Sequence, residues 1–120
     1  MHATDFWGEI ETTAVRTPLS IMREQAAALG RRTKNLVEAK VETRTSRGQF
    51  LHSFELVVPS LDYTYELFEI EHPPELYPVE VTGKNIHIHT EAAFMDWLRE
   101  RLSSEQTRKI VSNLLAQAQS

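Results

Sequence analysis

His87 and His89 are two positions apart, and of all the residue pairs in this sequence their spacing best suits metal binding or acid–base catalysis. On a β-strand, residues two apart point to the same side and lie about 7 Å from each other. Such a pair could give two imidazoles to a divalent metal, or one ring could act as a general base. Simple alternation with Ile86 and Ile88 on a solvated strand explains the same spacing. A small metal-dependent or histidine-based hydrolase centred on His87 and His89 is therefore the alternative hypothesis.

The other histidines do not converge with this pair by spacing alone. His52 shares a strand face with Phe50 and Phe54, and we expect it to be partly buried with its nitrogens hydrogen bonded. A third metal ligand could come from His52, His72 or Glu80, but nothing in the sequence places one of them there. The sequence therefore predicts neither a metal nor any other cofactor.

Charged side chains are spread along the chain and do not form clusters by spacing. Acidic and basic residues interleave, as in Arg99-Glu100-Arg101, and the net charge of −4 argues against nucleic-acid binding. The absence of cysteine excludes thiol catalysis, disulfides and thiolate zinc sites. No glycine-rich phosphate loop or nucleophile elbow occurs. The carboxylates of the middle region are expected to form a solvated sheet face: Asp62, Glu66, Glu69, Glu71, Glu75 and Glu80.

Apolar residues at helical spacing predict helices at both ends of the chain. A short helix is predicted at Thr4–Val15, with Thr4 as its N-cap. A second helix is predicted at Pro18–Leu29 and should end at Gly30. Near the C terminus, two more helices are predicted, the first capped by Thr90 and the second beginning at a Ser103–Gln106 capping box.

Strict alternation of apolar and polar residues predicts strands in the middle of the chain. In the third strand the apolar residues change faces near Leu67-Phe68, which indicates either a β-bulge or burial on both faces. The predicted strands are Leu36–Arg44, Phe50–Val58, Leu61–Glu71, Tyr77–Val81 and Ile86–His89.

This order of elements predicts the fold class. Helices, then strands, then helices indicate an α+β fold: an antiparallel sheet of four or five strands flanked by N-terminal helices and two C-terminal helices. The length of 120 residues predicts one domain, 1–120. The helices would pack together on one face of the sheet.

Large apolar residues lie on both faces of the predicted strands, and this is the strongest functional indication in the sequence. The second face could be covered by the chain's own helices, by a twin subunit or by another protein. Tyrosines are enriched in protein interfaces because they combine an apolar body with a polar tip. The predicted interaction residues are Tyr63, Tyr65, Phe68, Ile70 and Tyr77.

The leading hypothesis is a small protein-interaction module without catalytic activity. Accessory proteins of bacterial operons, immunity-type inhibitors and assembly chaperones have this size and fold class, which is an analogy only. Its partner would be another protein or a second copy of the chain. The N terminus lacks the basic and apolar regions of a signal peptide, and no apolar run approaches the roughly 20 residues of a membrane span. We therefore expect a cytoplasmic protein that makes no membrane contact.

Overall fold

A computed structural model describes residues 5–120. It has one antiparallel sheet in the order β1-β2-β3-β4-β5, so each strand pairs with its neighbours in the chain. One helix precedes the sheet and two follow it, which confirms the predicted α+β class. The elements are α1 (Pro18–Arg32), β1 (Glu38–Ser46), β2 (Gln49–Val58), a 3-10 turn (Pro59–Leu61), β3 (Tyr63–His72), β4 (Val79–Val81), β5 (His87–Ile88), α2 (Glu91–Ser103) and α3 (Glu105–Ala118).

The predicted helix at Thr4–Val15 is wrong over the residues that the structure describes, because residues 5–15 contain no helix. Its proposed cap, Thr4, lies outside the described residues. Gly8 adopts a positive φ of 67°, which interrupts a helix. A short amphipathic helix is also marginal in water unless its apolar stripe packs against something. Here Phe6 and Ile10 remain exposed.

Helix α1 begins as predicted but continues past Gly30. The Thr17 side chain accepts a hydrogen bond from the Ser20 backbone N–H, and Pro18 occupies the first turn. Gly30 is buried inside the helix, where a Cβ would lie 3.1 Å from Oδ1 of Asn35. The absence of a side chain at Gly30 therefore allows the following loop to approach the helix closely. Asn35 itself takes the positive φ that a helix-terminating residue often has.

The β1–β2 hairpin positions the first half of the sheet. Arg47 and Gly48, both with positive φ, connect the two strands in a two-residue turn. The resulting register places Val41 opposite Phe54 and Thr43 opposite His52. These four side chains point to the inner face of the sheet, where Phe54 and His52 are buried, Val41 is half-buried and Thr43 is exposed.

A β-bulge in β3 explains the change of apolar face seen in the sequence. Tyr65 pairs with Leu56, but after a register shift Phe68 pairs with Phe54. The extra residue returns Phe68 and Ile70 to the inner face, where Phe68 is 8% and Ile70 0% exposed. Of the two explanations for the phase change, the bulge is thus correct, and Phe68 and Ile70 share the inner face with Tyr63 and Tyr65 rather than lying opposite them.

Charged side chains cover the outer face of the sheet. Leu51 is buried there, with Arg44 and Glu71 as its cross-strand neighbours. Arg44 pairs with Glu69 at 3.2 Å, and Glu69 also accepts a hydrogen bond from the Ser53 hydroxyl at 3.1 Å. The aliphatic stems of such side chains shield apolar surface while their charges stay in water.

The core lies between the inner face and the helices. Helix α1 contributes Met22, and α2 contributes Phe94 and Leu98, all nearly inaccessible to solvent. Helix α2 ends at Ser103, and Ser104 caps α3 by accepting from the Thr107 backbone N–H. The predicted capping box was thus placed one residue too early. Helix α3 packs less closely, since its apolar residues are only half-buried: Ile110, Val111, Leu114, Leu115 and Ala118.

Candidate functional site

The first half of β3 is an open sheet edge. Strand β3 has ten residues, whereas β4 has three and pairs only with Ile70 and Glu71. One further hydrogen bond, from the Thr82 N–H to the Glu69 carbonyl at 2.9 Å, closes the end of this pairing. Residues 63–68 therefore have β2 on one side, and no strand within residues 5–120 pairs with their other side. An open edge of this kind is a template for another extended segment.

A groove of about 690 Å³ lies beside this open edge. Its apolar surface includes Phe68 and Trp97, whose rings meet edge to face with centroids 5.0 Å apart. Ile86, 37% exposed, contributes from the β4–β5 connection. The groove falls within the size range of ligand pockets and combines an aromatic surface with a polar rim. The charged residues that line it are Glu66, Glu69, Lys84, Glu100 and Arg101.

Arg101 links the groove to the open edge. Its Nη2 donates to the Leu67 carbonyl at 3.0 Å, and its Nη1 donates to the Thr107 hydroxyl. Its guanidinium carbon lies 5.8 Å from the centre of the Phe68 ring, in cation–π geometry. Because a side chain satisfies the Leu67 carbonyl, the unprotected part of the edge is Tyr63–Glu66.

The structure separates the five predicted interaction residues into exposed and covered ones. Tyr63 and Tyr65 are 44% and 36% exposed, and both lie on the open part of β3. Phe68 and Ile70 pack against the chain's own core. Tyr77 also packs against the core, and its hydroxyl donates to the Arg16 carbonyl at 3.1 Å. Tyr63 and Tyr65 are thus the two of the five that lie exposed on the open edge, while Phe68 presents part of its ring to the groove.

Trp97 and Arg101 were not singled out from the sequence, although a local signal connects them. They lie four residues apart on α2, so both occupy one face of the helix. The sequence does not show which part of the sheet that face meets. This depends on the short length of β4, which leaves room for Trp97 and Arg101 beside β3.

A buried histidine pair lies at the opposite end of β3. Nε2 of His52 lies 2.8 Å from Nε2 of His72, and the two residues are 2% and 4% exposed. Phe50 stacks on both rings, with centroid distances of 6.5 and 5.5 Å. The prediction that His52 is buried and hydrogen bonded is confirmed.

The outer partners of the pair determine which nitrogen carries each hydrogen. Nδ1 of His72 lies 2.8 Å from the Pro73 carbonyl, which can only accept, so this nitrogen donates. In the neutral state His72 Nε2 then accepts from His52 Nε2–H. Nδ1 of His52, 2.9 Å from the Thr43 hydroxyl, accepts in turn. Both rings are therefore fully hydrogen bonded while uncharged.

Burial lowers the pKa of His52 to about 4, with smaller contributions from the neighbouring His72 and from Arg23. A proton on His52 would lie in a low-dielectric environment, where charge is costly without a counter-ion. Together with its full set of hydrogen bonds, this indicates a structural role for the pair.

Among residues 5–120, the structure brings no third metal ligand to His87 and His89. Both are exposed, and His89 lies just beyond β5. His87 Nε2 lies 3.3 Å from the Asn85 side-chain oxygen. Within residues 5–120, no group of three His, Cys, Asp or Glu residues is arranged to hold a metal ion. No observation on the described residues therefore favours the hydrolase hypothesis.

Comparisons with known proteins do not identify a function for the chain, so a functional proposal rests on the structural features above. No protein-family model, curated protein or solved structure matches the chain. Among the helices of residues 5–120, none combines the length and apolarity needed to cross a membrane.

Proposed function

We propose that this chain is a protein-interaction module that binds an extended segment of a partner protein along the open edge of β3. The observation that carries the proposal is the mismatch in strand length: β3 has ten residues and β4 has three. The backbone of the partner segment would pair with Tyr63–Glu66, continuing the sheet by one strand.

The side chains around the edge support this mode of binding. Tyr63 and Tyr65 are exposed there and offer apolar surface with a polar tip. An apolar side chain of the partner segment would enter the adjacent groove and contact Trp97 and Phe68. Backbone pairing supplies affinity in such complexes, and the side-chain pocket supplies sequence preference.

The distribution of chemically capable residues also favours binding. His52 and His72 are buried with their nitrogens hydrogen bonded. His87 and His89 are exposed at the edge formed by β5, with no cluster of metal ligands among the described residues. The half-exposed aromatic surface beside the unpaired edge of β3 is the feature that we expect a partner to use.

A selection from displayed random linear peptides tests the proposal. We expect peptides enriched on the unmodified chain to bind it and to lose binding to a Tyr63→Lys/Tyr65→Lys variant, because lysines on a strand edge oppose further pairing. Thr45→Lys is the matched control, since Thr45 is exposed on β1 at the other edge of the sheet. Peptides that bind the Tyr63→Lys/Tyr65→Lys variant equally well, or that lose binding to Thr45→Lys, would contradict the proposal.

A further inference from the structure

A second binding element precedes α1. Residues 5–15, here called the N-terminal arm, contain no helix or strand. Its large apolar side chains are almost fully exposed: Phe6 is 98%, Trp7 78% and Ile10 76% accessible. Exposed apolar residues grouped in one segment usually mark a contact with another surface.

The arm leaves the body of the protein at a fixed point. The Arg16 N–H donates to Glu91 at 2.9 Å, and the Arg16 carbonyl accepts from the Tyr77 hydroxyl at 3.1 Å. The Arg16 side chain pairs with Glu24 at 2.7 Å. These contacts hold the chain just before α1, whereas the large apolar side chains of the arm lie in solvent rather than against its own helices.

A basic groove lies on the helical side of the molecule, away from β3. It has a volume of about 330 Å³ and lies between α1, α2 and the start of α3. Ile21, Leu98 and Leu102 give it an apolar surface. Arg32, Arg99 and Arg108 line it, one from each of the three helices, and Arg99 also pairs with Asp96 at 3.0 Å. Among the described residues, no acidic side chain lines the groove.

The arm and the groove are complementary in charge and in apolar surface. The arm carries Asp5, Glu9 and Glu11 and no basic residue between positions 5 and 15. Asp5, Glu9 and Glu11 are interspersed with Phe6, Trp7 and Ile10, so the arm carries its acidic and apolar side chains within seven residues. Three carboxylates and large apolar groups match three guanidiniums around an apolar surface.

We propose that the N-terminal arm of one copy docks in the basic groove of a second copy, giving a reciprocal dimer. Trp7 would enter the apolar part of the groove, and the arm carboxylates would pair with Arg99 and Arg108. A twofold dimer allows both arms to make the same contact. Within one copy, Phe6, Trp7 and Ile10 remain exposed, and the N–H, carbonyl and guanidinium of Arg16 are all hydrogen bonded where the arm begins. This dimer does not depend on the β3 edge.

Sedimentation of the full chain over a range of concentrations tests the proposal. We expect a dimer whose dissociation constant rises about thirtyfold in Trp7→Ala, the loss typical of a central aromatic contact. Arg99→Glu/Arg108→Glu should weaken the dimer similarly, because it places like charges together. Arg31→Glu is the control, since Arg31 lies in the same last turn of α1 as Arg32 but does not line the groove.

Mixing variants distinguishes exchange between copies from docking within one copy. Phe6→Ala/Trp7→Ala keeps an intact groove, and Arg99→Glu/Arg108→Glu keeps an intact arm. Each variant alone should dimerise more weakly than the unmodified chain, and an equimolar mixture should form a heterodimer, with one complete contact, more readily than either variant pairs with itself. The fluorescence difference between the unmodified chain and Trp7→Phe reports the surroundings of Trp7, and we expect it to shift to shorter wavelength as the dimer forms.

Two results would overturn the proposal. A monomer at all concentrations with Trp7 shielded from water would place the arm in its own groove. A monomer with Trp7 exposed to water would leave the arm for a different partner. Both results are independent of peptide binding at β3, so they do not affect the proposed function.

Discussion

The Nε2 atoms of His52 and His72, 2.8 Å apart, share one hydrogen bond in a site closed to solvent. The β3 bulge brings these two residues together. If the register of Leu56 opposite Tyr65 continued unbroken, His72 would lie opposite Gln49 on the outer face; instead it lies opposite Phe50. If both rings were protonated, their two Nε2–H groups would point at each other. Only one hydrogen can therefore lie between the two Nε2 atoms.

The histidine pair predicts that the protein loses stability in mild acid. The pKa of His52 is about 4 in the folded chain and 6.5 in a model peptide. Below pH 6.5 the unfolded chain binds a proton that the folded chain does not, so the free energy of unfolding falls with pH until about pH 4. The loss at this site is on the order of 3 kcal/mol. Urea unfolding from pH 7.5 down to about pH 4.5 measures it.

His52→Gln isolates this contribution, since it removes the titrating group. We expect the pH dependence of its unfolding free energy to be shallower than that of the unmodified chain. His87→Gln is the control, because His87 is exposed. An unchanged slope in His52→Gln would show that His52 does not titrate differently on folding.

The hydroxyl group of Thr43 should contribute more to the free energy of unfolding than the size of its side chain does. Thr43→Val leaves His52 Nδ1 buried without its partner at 2.9 Å. We expect a loss of about 1–3 kcal/mol in unfolding free energy, the cost of a buried unsatisfied polar group. Thr45→Val on the same strand should change it by less than about 0.5 kcal/mol, as for most surface substitutions. Equal effects at the two positions would argue against the hydrogen bond.

Arg101 should not be replaceable by lysine. It donates from separate nitrogens to the Leu67 carbonyl and the Thr107 hydroxyl, which the fork of a guanidinium allows and a single ammonium does not reproduce. We expect Arg101→Lys to lower the unfolding free energy by about 1–2 kcal/mol. Arg99→Lys should have little effect, because the Arg99–Asp96 pair is exposed. The prediction fails if both variants unfold at the same urea concentration.

Tyr77 should ionise at a higher pH than a tyrosine in water. Burial raises its pKa to about 12, and the Glu91 carboxylate adds to the rise. Above pH 10 the unfolded chain loses this proton first, so the contribution of Tyr77 to stability falls between pH 10 and about 12. Ultraviolet titration of phenolate absorbance should show one late-titrating tyrosine, which disappears in Tyr77→Phe but persists in Tyr63→Phe. A late component that remains in Tyr77→Phe would assign the shift to another residue.

The fold class and most elements could be predicted from sequence because their signals are local. Alternation at Leu36–Arg44 reports a half-buried strand whatever its partner is. The N-terminal helix failed because an apolar stripe such as Phe6 and Ile10 needs a packing surface, which the sequence does not supply. The end of α1 was misplaced because Gly30 serves a close approach to Asn35 rather than a turn.

The candidate site could be predicted only in part because it depends on pairing between distant residues. Tyr63 and Tyr65 were recognised from residue type and are exposed. Phe68 and Ile70 were assigned to the wrong face, since the sequence showed a phase change but did not distinguish a bulge from burial on both sides. The open edge itself results from the short length of β4, Val79–Val81. Alternation over only three residues does not show where such a strand begins and ends.

Hydrogen exchange of individual backbone amides, with and without a peptide selected on the chain, tests the central claim most directly. We expect the peptide to slow exchange within Tyr63–Glu66 and to leave the outer edge of β1 unchanged, because a new strand would pair only with the open part of β3. Protection of β1 or of the helices, with no change at Tyr63–Glu66, would contradict the proposal that this edge is the binding site.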